Sequence, residues 1–222
     1  MAGMSTVGVL GGTGPQGRGL TMRLALAGYR CVIGSRDPLR AATIAAGLRD
    51  DHAVHSDLLD GAGNDAAAAA EIVVVAVPFD GVAATVESLA DSLAGKVVVS
   101  CVNRLAFDDS GPRPVPVDAG SAAELIAELV PQARVVGAFH HVPAGRLGRS
   151  SASLDMDVLI TGDDDAACET VREMADAIAG VRGVRAGPLR LTRPLEELTA
   201  VVLTVNRRYK VAAGVRLAGL DQ

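Results

Sequence analysis

Six residues near the amino terminus, Gly12-Thr13-Gly14-Pro15-Gln16-Gly17, carry the spacing GxGxxG. The apolar run Val7 to Leu10 precedes them, and an amphipathic stretch with Leu20, Leu24 and Leu26 follows. A strand, a glycine turn and a helix in that order make a dinucleotide cradle. Gly12 permits the tight turn, Gly14 lets the backbone approach a pyrophosphate, and Gly17 lets the helix pack on the strand. Free N–H groups and the positive end of the helix dipole would then hold the phosphates. A turn with no ligand would need the glycines but not this flanking context.

The choice of dinucleotide falls at the end of the second strand, Cys31 to Ile33. An NAD-selective site wants a carboxylate there, about 20 residues past the fingerprint. This chain has Gly34-Ser35-Arg36 instead, with Arg40 one helical turn beyond. Glycine leaves room, a hydroxyl donates a hydrogen bond, and a guanidinium pairs with phosphate. The alternative for Arg36 is a solvated surface arginine. Asp37 is a competing carboxylate, but Pro38 behind it makes it the N-cap of the next helix. The spacing therefore predicts NADP(H), not NAD.

Two more groups can reach the crevice at the carboxyl edge of the sheet. Pro78-Phe79-Asp80 follows the run Ile72 to Val77. Phe79 can pack on the cofactor or equally in the core, and Ala83, one turn on, would face the same crevice. His140-His141-Val142-Pro143-Ala144 follows Val135 to Phe139, which aims a histidine at the crevice as a candidate catalytic group. A metal site is not expected, because no third ligand is spaced nearby. The chain has no GxSxG elbow, no Walker lysine and no Tyr-x-x-x-Lys pair. Hydride transfer to a carbonyl usually needs a proton donor, whereas transfer between two redox rings does not.

The elements that must position these residues follow from patterning. Asp37-Pro38 starts a helix, and a third strand is expected near Ala53–His55. A short helix at Ala66–Ala70 leads into Ile72–Val77, apolar on both faces and hence a central parallel strand. Asp80 is expected to cap a helix running to about Leu93, and Lys96–Val102 is the next strand. Asn103 to Gly120 reads as a long loop, of the length that often serves function. Ser121-Ala122-Ala123-Glu124 is a capping box. Further strands are expected at Arg134–Phe139, Val158–Thr161 and Val184–Ala186, with a helix from Asp165 to Ala179 between the last two. A final helix, Pro194 to Tyr209, puts Leu195, Leu198, Val202 and Val205 on one face. Such alternation predicts a Rossmann-type α/β fold, a doubly wound parallel sheet with a small C-terminal extension.

Composition narrows the partners. The chain has 222 residues, a net charge of −5 and 2% aromatics without tryptophan. That is ordinary for a globular chain and argues against nucleic acid, which wants basic stripes and stacking rings. The three cysteines, Cys31, Cys101 and Cys168, are dispersed, which fits a reduced compartment. The longest uncharged apolar run is too short to span a bilayer, and residues 1–6 lack the start of a signal peptide. A cytoplasmic protein without a membrane partner is expected.

Taken in order, these segments resemble one family. Gly11-Gly12-Thr13-Gly14, Gly34-Ser35-Arg36, Pro78-Phe79, Gly120-Ser121-Ala122-Ala123-Glu124, His140 to Ala144 and Ala186-Gly187-Pro188-Leu189 come as in the NADPH-dependent coenzyme F420 reductases. The closing Asn206 to Lys210 and Ala213 to Arg216 are similar too. The resemblance implies an NADP-binding Rossmann domain over residues 1–145 and a small portion, 146–222, completing a deazaflavin pocket. It implies hydride transfer between NADP(H) and coenzyme F420, by a homodimer. Thr13, Gly14, Pro15 and Gln16 would hold the pyrophosphate, and Ser35, Arg36 and Arg40 the 2′-phosphate. Phe79, Ala83, Asn103 and Ala144 would line the cofactor cleft. His140, with Val142, Thr199 and Arg207, would meet the deazaflavin. His141 and Arg104 depart from the pattern, at positions where it varies.

Two rivals stand beside that reading. One is a reductase of a small imine or carbonyl, with His140 or His141 as acid. The other is a non-catalytic NADPH-binding sensor, for which the long loop and the polar ends of the last helix would have no use. The last helix also predicts a symmetric dimer, since little chain remains to cover its apolar stripe. Arg207, Arg208 and Lys210 either complement its dipole or attract the anionic coenzyme tail.

Overall fold

The computed structural model describes residues 5–220; Met1 to Met4, part of the stretch read above as lacking a targeting signal, lie outside the described residues. Among the described residues ten strands form, in chain order β1 (Thr6–Leu10), β2 (Arg30–Ser35), β3 (Leu59–Gly63), β4 (Ile72–Val75), β5 (Val97–Ser100), β6 (Leu105–Asp108), β7 (Gly111–Pro114), β8 (Arg134–Gly137), β9 (Met156–Gly162) and β10 (Val181–Gly187). Nine α-helices among the described residues join them: α1 (Pro15–Leu26), α2 (Pro38–His52), α3 (Asn64–Ala68), α4 (Val82–Glu87), α5 (Ala90–Leu93), α6 (Ala122–Leu129), α7 (Ala144–Leu147), α8 (Asp165–Asp176) and α9 (Thr192–Tyr209).

Eight strands make one sheet in the order β10-β9-β8-β5-β4-β1-β2-β3. The chain winds outward from β1 through β2 to β3, then returns to β4 on the other side of β1. That reversal leaves a crevice beyond the carboxyl ends of β1 and β4, where ligands of open α/β sheets bind. β4 and β5 are buried along their whole length, as expected of central strands covered on both faces. Leu20, Leu24, Ile33 and Phe139 pack on one face of the sheet, and Leu10, Val73, Val86 and Ile126 on the other.

The expected Rossmann-type fold is present, with four local corrections. The third strand is not at Ala53–His55: Ala53 takes a left-handed φ of 52° and ends α2, and the strand pairs with β2 further on. Asp80 caps nothing. It lies within a single 3₁₀ turn, Phe79–Gly81, and the helix expected to reach Leu93 breaks between α4 and α5. The loop Asn103–Gly120 contains the antiparallel hairpin β6–β7, whose turn is held by Ser110 N–H donating to Asp108 Oδ1 at 2.8 Å. Pro112 and Pro114 hide that hairpin from a pattern search, because they sit where a ladder usually wants N–H donors. Lastly, β9 runs antiparallel to β8, so the sheet is parallel only on either side of that seam.

Capping followed expectation more closely. Asp37 accepts from Arg40 N–H at 3.1 Å, and Ser121 Oγ accepts from Glu124 N–H at 3.0 Å. The box closes differently, however: Glu124 Oε2 accepts from the Ser121 hydroxyl at 2.7 Å. The larger surprise is α9. Its buried residues are Thr192, Glu196, Thr199 and Ala200, while Leu195, Leu198 and Val202 are half-buried and Val201 and Val205 face solvent. No helix among the described residues is long and apolar enough to cross a membrane.

Candidate functional site

The glycine turn delivers the geometry a phosphate needs. Gly11 carries the left-handed φ of 68°, so it, with Gly12 behind it, makes the turn. Gly12 N–H donates to the carbonyls of Val9 and Gly34, at 3.1 and 2.9 Å, which locks the turn between β1 and β2. A Cβ on Gly17 would stand 2.6 Å from Gly12 Cα, so only glycine lets α1 seat this closely. Gly14 is the N-cap, Pro15 opens the helix, no side chain caps it, and no acidic residue lies in its first turn. The first-turn amides therefore remain available to an anion.

Beside this turn, Ser35 is buried at the end of β2, and its Oγ accepts from Asp37 N–H at 3.1 Å. Arg36 and Arg40 are exposed, and neither is in an ion pair among the described residues. All three open on one cleft of about 970 Å³ that also takes in Thr13, Gly14, Pro15, Gln16, Phe79 and Asn103. Gly12 and Gly17 shape it from behind. Ala83 does not line it: α4 turns Ala84 and Thr85 toward it, with Ser88 just beyond. Ala144 instead walls a separate hollow of about 210 Å³ with Pro15, Arg18 and Met22.

Asn103 is the hinge between this cleft and a buried corner. Its Nδ2 donates to the His140 carbonyl at 3.1 Å, and its Oδ1 accepts from Thr199 Oγ1 at 2.9 Å. Gln16 Nε2 ties the same segment from the other side, donating to the Phe139 carbonyl at 3.3 Å. Phe139 itself has a φ of 63°, unusual for an aromatic residue, so the strand end is bent where His140 begins. His140 is 5% exposed, and both its ring nitrogens are buried without a partner among the described residues. Burial, and then His141 beside it, push the His140 imidazole down to about 3. Burial also lowers His141, partly offset by the Leu195 carbonyl 2.7 Å from its Nε2. Neither ring is a cation at neutral pH. Val142 is buried in the core behind them, and Arg207 is exposed near the β6–β7 hairpin, beside Gly111.

Sequence reasoning missed Asn64, which lines the cleft and whose Oδ1 accepts from Gly11 N–H at 3.3 Å. It supports the turn from the start of α3, just after β3, and no motif marks it because the contact spans 53 residues. Among the described residues, no group of His, Cys, Asp or Glu is arranged to hold a metal.

Proteins of one family resemble the chain along nearly its whole length. Residues 6–104 match the family model described as NADP oxidoreductase, coenzyme F420-dependent. The chain is 35% identical to the F420-dependent NADP reductase of Methanothermobacter thermautotrophicus, over 97% of this chain and 96% of that protein. It is 31% identical to the enzyme of the same name from Methanocaldococcus jannaschii, over 97% and 99%. Among solved structures, a candidate F420-dependent NADP-reductase from Arthrobacter sp. FB24 superposes with a TM-score of 0.80, at 28% identity, covering 97% of this chain and 100% of that one. With likeness along nearly its whole length, well past the nucleotide fingerprint, the chain belongs to the family of coenzyme F420-dependent NADP oxidoreductases.

Proposed function

We propose that Thr13, Gly14, Pro15 and Gln16 hold the pyrophosphate, and Ser35, Arg36 and Arg40 the 2′-phosphate, of NADP(H). The protein is an oxidoreductase that moves a hydride between NADP(H) and the deazaflavin coenzyme F420. The observation that carries the site assignment is the pair of exposed guanidinium groups opening on the cleft beside the uncapped start of α1. Residues 1–145 supply that cleft. Residues 146–222, through Thr199, complete the wall that receives the deazaflavin.

The two coenzymes supply the redox chemistry; the chain binds them, aligns them and excludes water. Asn103 serves both halves, since it lines the cleft and holds the His140 carbonyl. Thr199 and the His140 segment form the deazaflavin side in this reading, with His140 as an uncharged ring buried behind Asn103. Val142 lies deeper in the core and Arg207 out beside the β6–β7 hairpin, so neither joins that wall. The depressed basicity of His140 and His141 supports ring-to-ring transfer over reduction of an imine or carbonyl, which would ask one of these histidines for a proton. We also infer a homodimer working in the cytoplasm. Solvent-facing Val201, Val205 and Tyr209 on α9 support the dimer, and three buried free cysteines fit a reducing compartment.

NADPH carrying deuterium on the transferred position tests the reaction. The label should arrive on the deazaflavin carbon without washing into solvent. Label recovered only in water would refute direct transfer and favour an acid–base route.

A further inference from the structure

Asn103 faces the cleft, but the next residue turns away from it. Arg104 is a cation only 2% exposed. Its Nε donates to Glu196 Oε2 at 2.6 Å and an Nη to Glu197 Oε1 at 3.4 Å, while the other Nη donates to the Val115 carbonyl. Glu196 is 1% exposed. Its carboxylate also accepts from the N–H groups of Ala122, at 2.9 Å, and Ala123, at 3.4 Å, the first amides of α6. One buried pair thus joins the segment leaving the cleft, the start of α6 and the flank of α9.

Stability alone does not account for this arrangement. Taking two charges out of water costs several kcal/mol per ion, and a packed apolar pair is often at least as stable. Meanwhile Val201 and Val205 of the same helix stay in solvent. What the pair does fix is register. Glu196 and Thr199 are three residues apart on one face of α9, and their partners Arg104 and Asn103 are adjacent in sequence. Seating Glu196 on Arg104 therefore seats Thr199 on Asn103, and both on the His140 carbonyl, 3.4 Å from Thr199 Oγ1 and 3.1 Å from Asn103 Nδ2.

We propose that Arg104 and Glu196 are positioning residues for the deazaflavin side of the site, holding α9 in the register that makes Thr199, Asn103 and the His140 segment one wall. The inference rests on the F420 reading above. Burial pushes the Glu196 carboxyl up to about 7, against the pull of the α6 amides and Arg104. The charged or titratable groups around it are Arg104, Glu197 with its partner Arg193, Glu124 at the start of α6, and His141 against Leu195. Protonation of Glu196 at lower pH weakens the tie and loosens the wall.

The test compares the native protein with Glu196→Gln, Arg104→Lys and the neutral double variant Arg104→Met/Glu196→Gln. The KM for F420 should rise about fivefold or more in the double variant, with the dissociation constant of NADPH within about twofold of native. Arg104→Lys, which keeps the charge beside Glu196, should recover most of that loss. In the native protein the KM for F420 should climb as pH falls through about 7, and Glu196→Gln should flatten the profile. If the double variant fails to fold, the two single variants carry the same comparison. An F420 KM within about twofold of native in every variant, or equal losses for both coenzymes, overturns the role. A native protein that does not oxidise NADPH with F420 refutes the underlying reading; an active one with insensitive variants refutes only the pair.

Discussion

At the scale of single residues, the anionic half of the site depends on two exposed guanidinium groups and a buried hydroxyl. Their value lies in discrimination, since NADPH differs from NADH by one phosphate. NADPH should bind about tenfold or more tightly than NADH, and Arg36→Asp should reverse the ranking. Titration calorimetry of both nucleotides checks it, and equal affinities in the native protein would refute the assignment. The preference should shrink with added salt, because Arg36 and Arg40 are in contact with solvent. These residues were legible in the sequence because their chemistry is local: a glycine spacing, then a strand end without its carboxylate. The state of His140 was not legible. Its neutrality comes chiefly from burial, which residue order does not display, with the adjacent His141 adding to it.

At the scale of elements, legibility follows how each element is stabilised. Strands buried on both faces announce themselves as apolar runs, so β4 and β5 were found. β3, Leu-Asp-Gly-Ala-Gly, was not, because its two glycines read as turn residues. Gly61 is there for close approach: a Cβ on it would stand 2.2 Å from the Ala41 carbonyl oxygen of α2. The polar seat of α9 was hidden for a related reason, since Arg104 lies 92 residues from Glu196. A second long-range tie yields a stability prediction. Asp157 on β9 is 3% exposed and receives both Nε and Nη2 of Arg182 on β10, each at 2.8 Å. It also accepts from Leu217 N–H at 2.7 Å, which fastens the tail after α9 to the sheet. The hydrogen bond from Arg182 holds its carboxyl below the usual range, despite burial. Its contribution is therefore present above the unfolded-state value and lost as pH falls through the folded one. Asp157→Asn should lower stability by about 2 kcal/mol at pH 7, roughly 6 °C in Tm. The gap between variant and native should close in acid. Thermal unfolding followed by circular dichroism at pH 7 and pH 3 checks it, and a gap that widens in acid would contradict the ion pair.

At the scale of the whole molecule, α9 carries an unsettled face. Val201 is 57% exposed, Val205 39% and Tyr209 67%, one helical turn apart in succession. Phe107, at the tip of β6, is 70% exposed. Exposed apolar groups lined up on a helix indicate a missing partner surface. In the homodimer proposed above, a second copy covers it by a two-fold axis. Sedimentation at micromolar concentration should give twice the chain mass for the native protein, and Val201→Glu/Val205→Glu should return it to single chains. A native protein that sediments as one chain removes the dimer.

The bond between Asn103 and Thr199 has a further consequence, in time. The two residues are 96 positions apart. A chain leaving the ribosome at ordinary speed makes the second about 5 to 20 s after the first. All the strands flanking the nucleotide cleft lie ahead of that gap or early in it, whereas the wall on the other side of Asn103 waits for α9. A nascent chain can therefore meet its nucleotide before it has anywhere to pass a hydride. A ligand that binds the folded form stabilises it by mass action, so NADP(H) can serve as a template on which the last quarter of the protein is assembled.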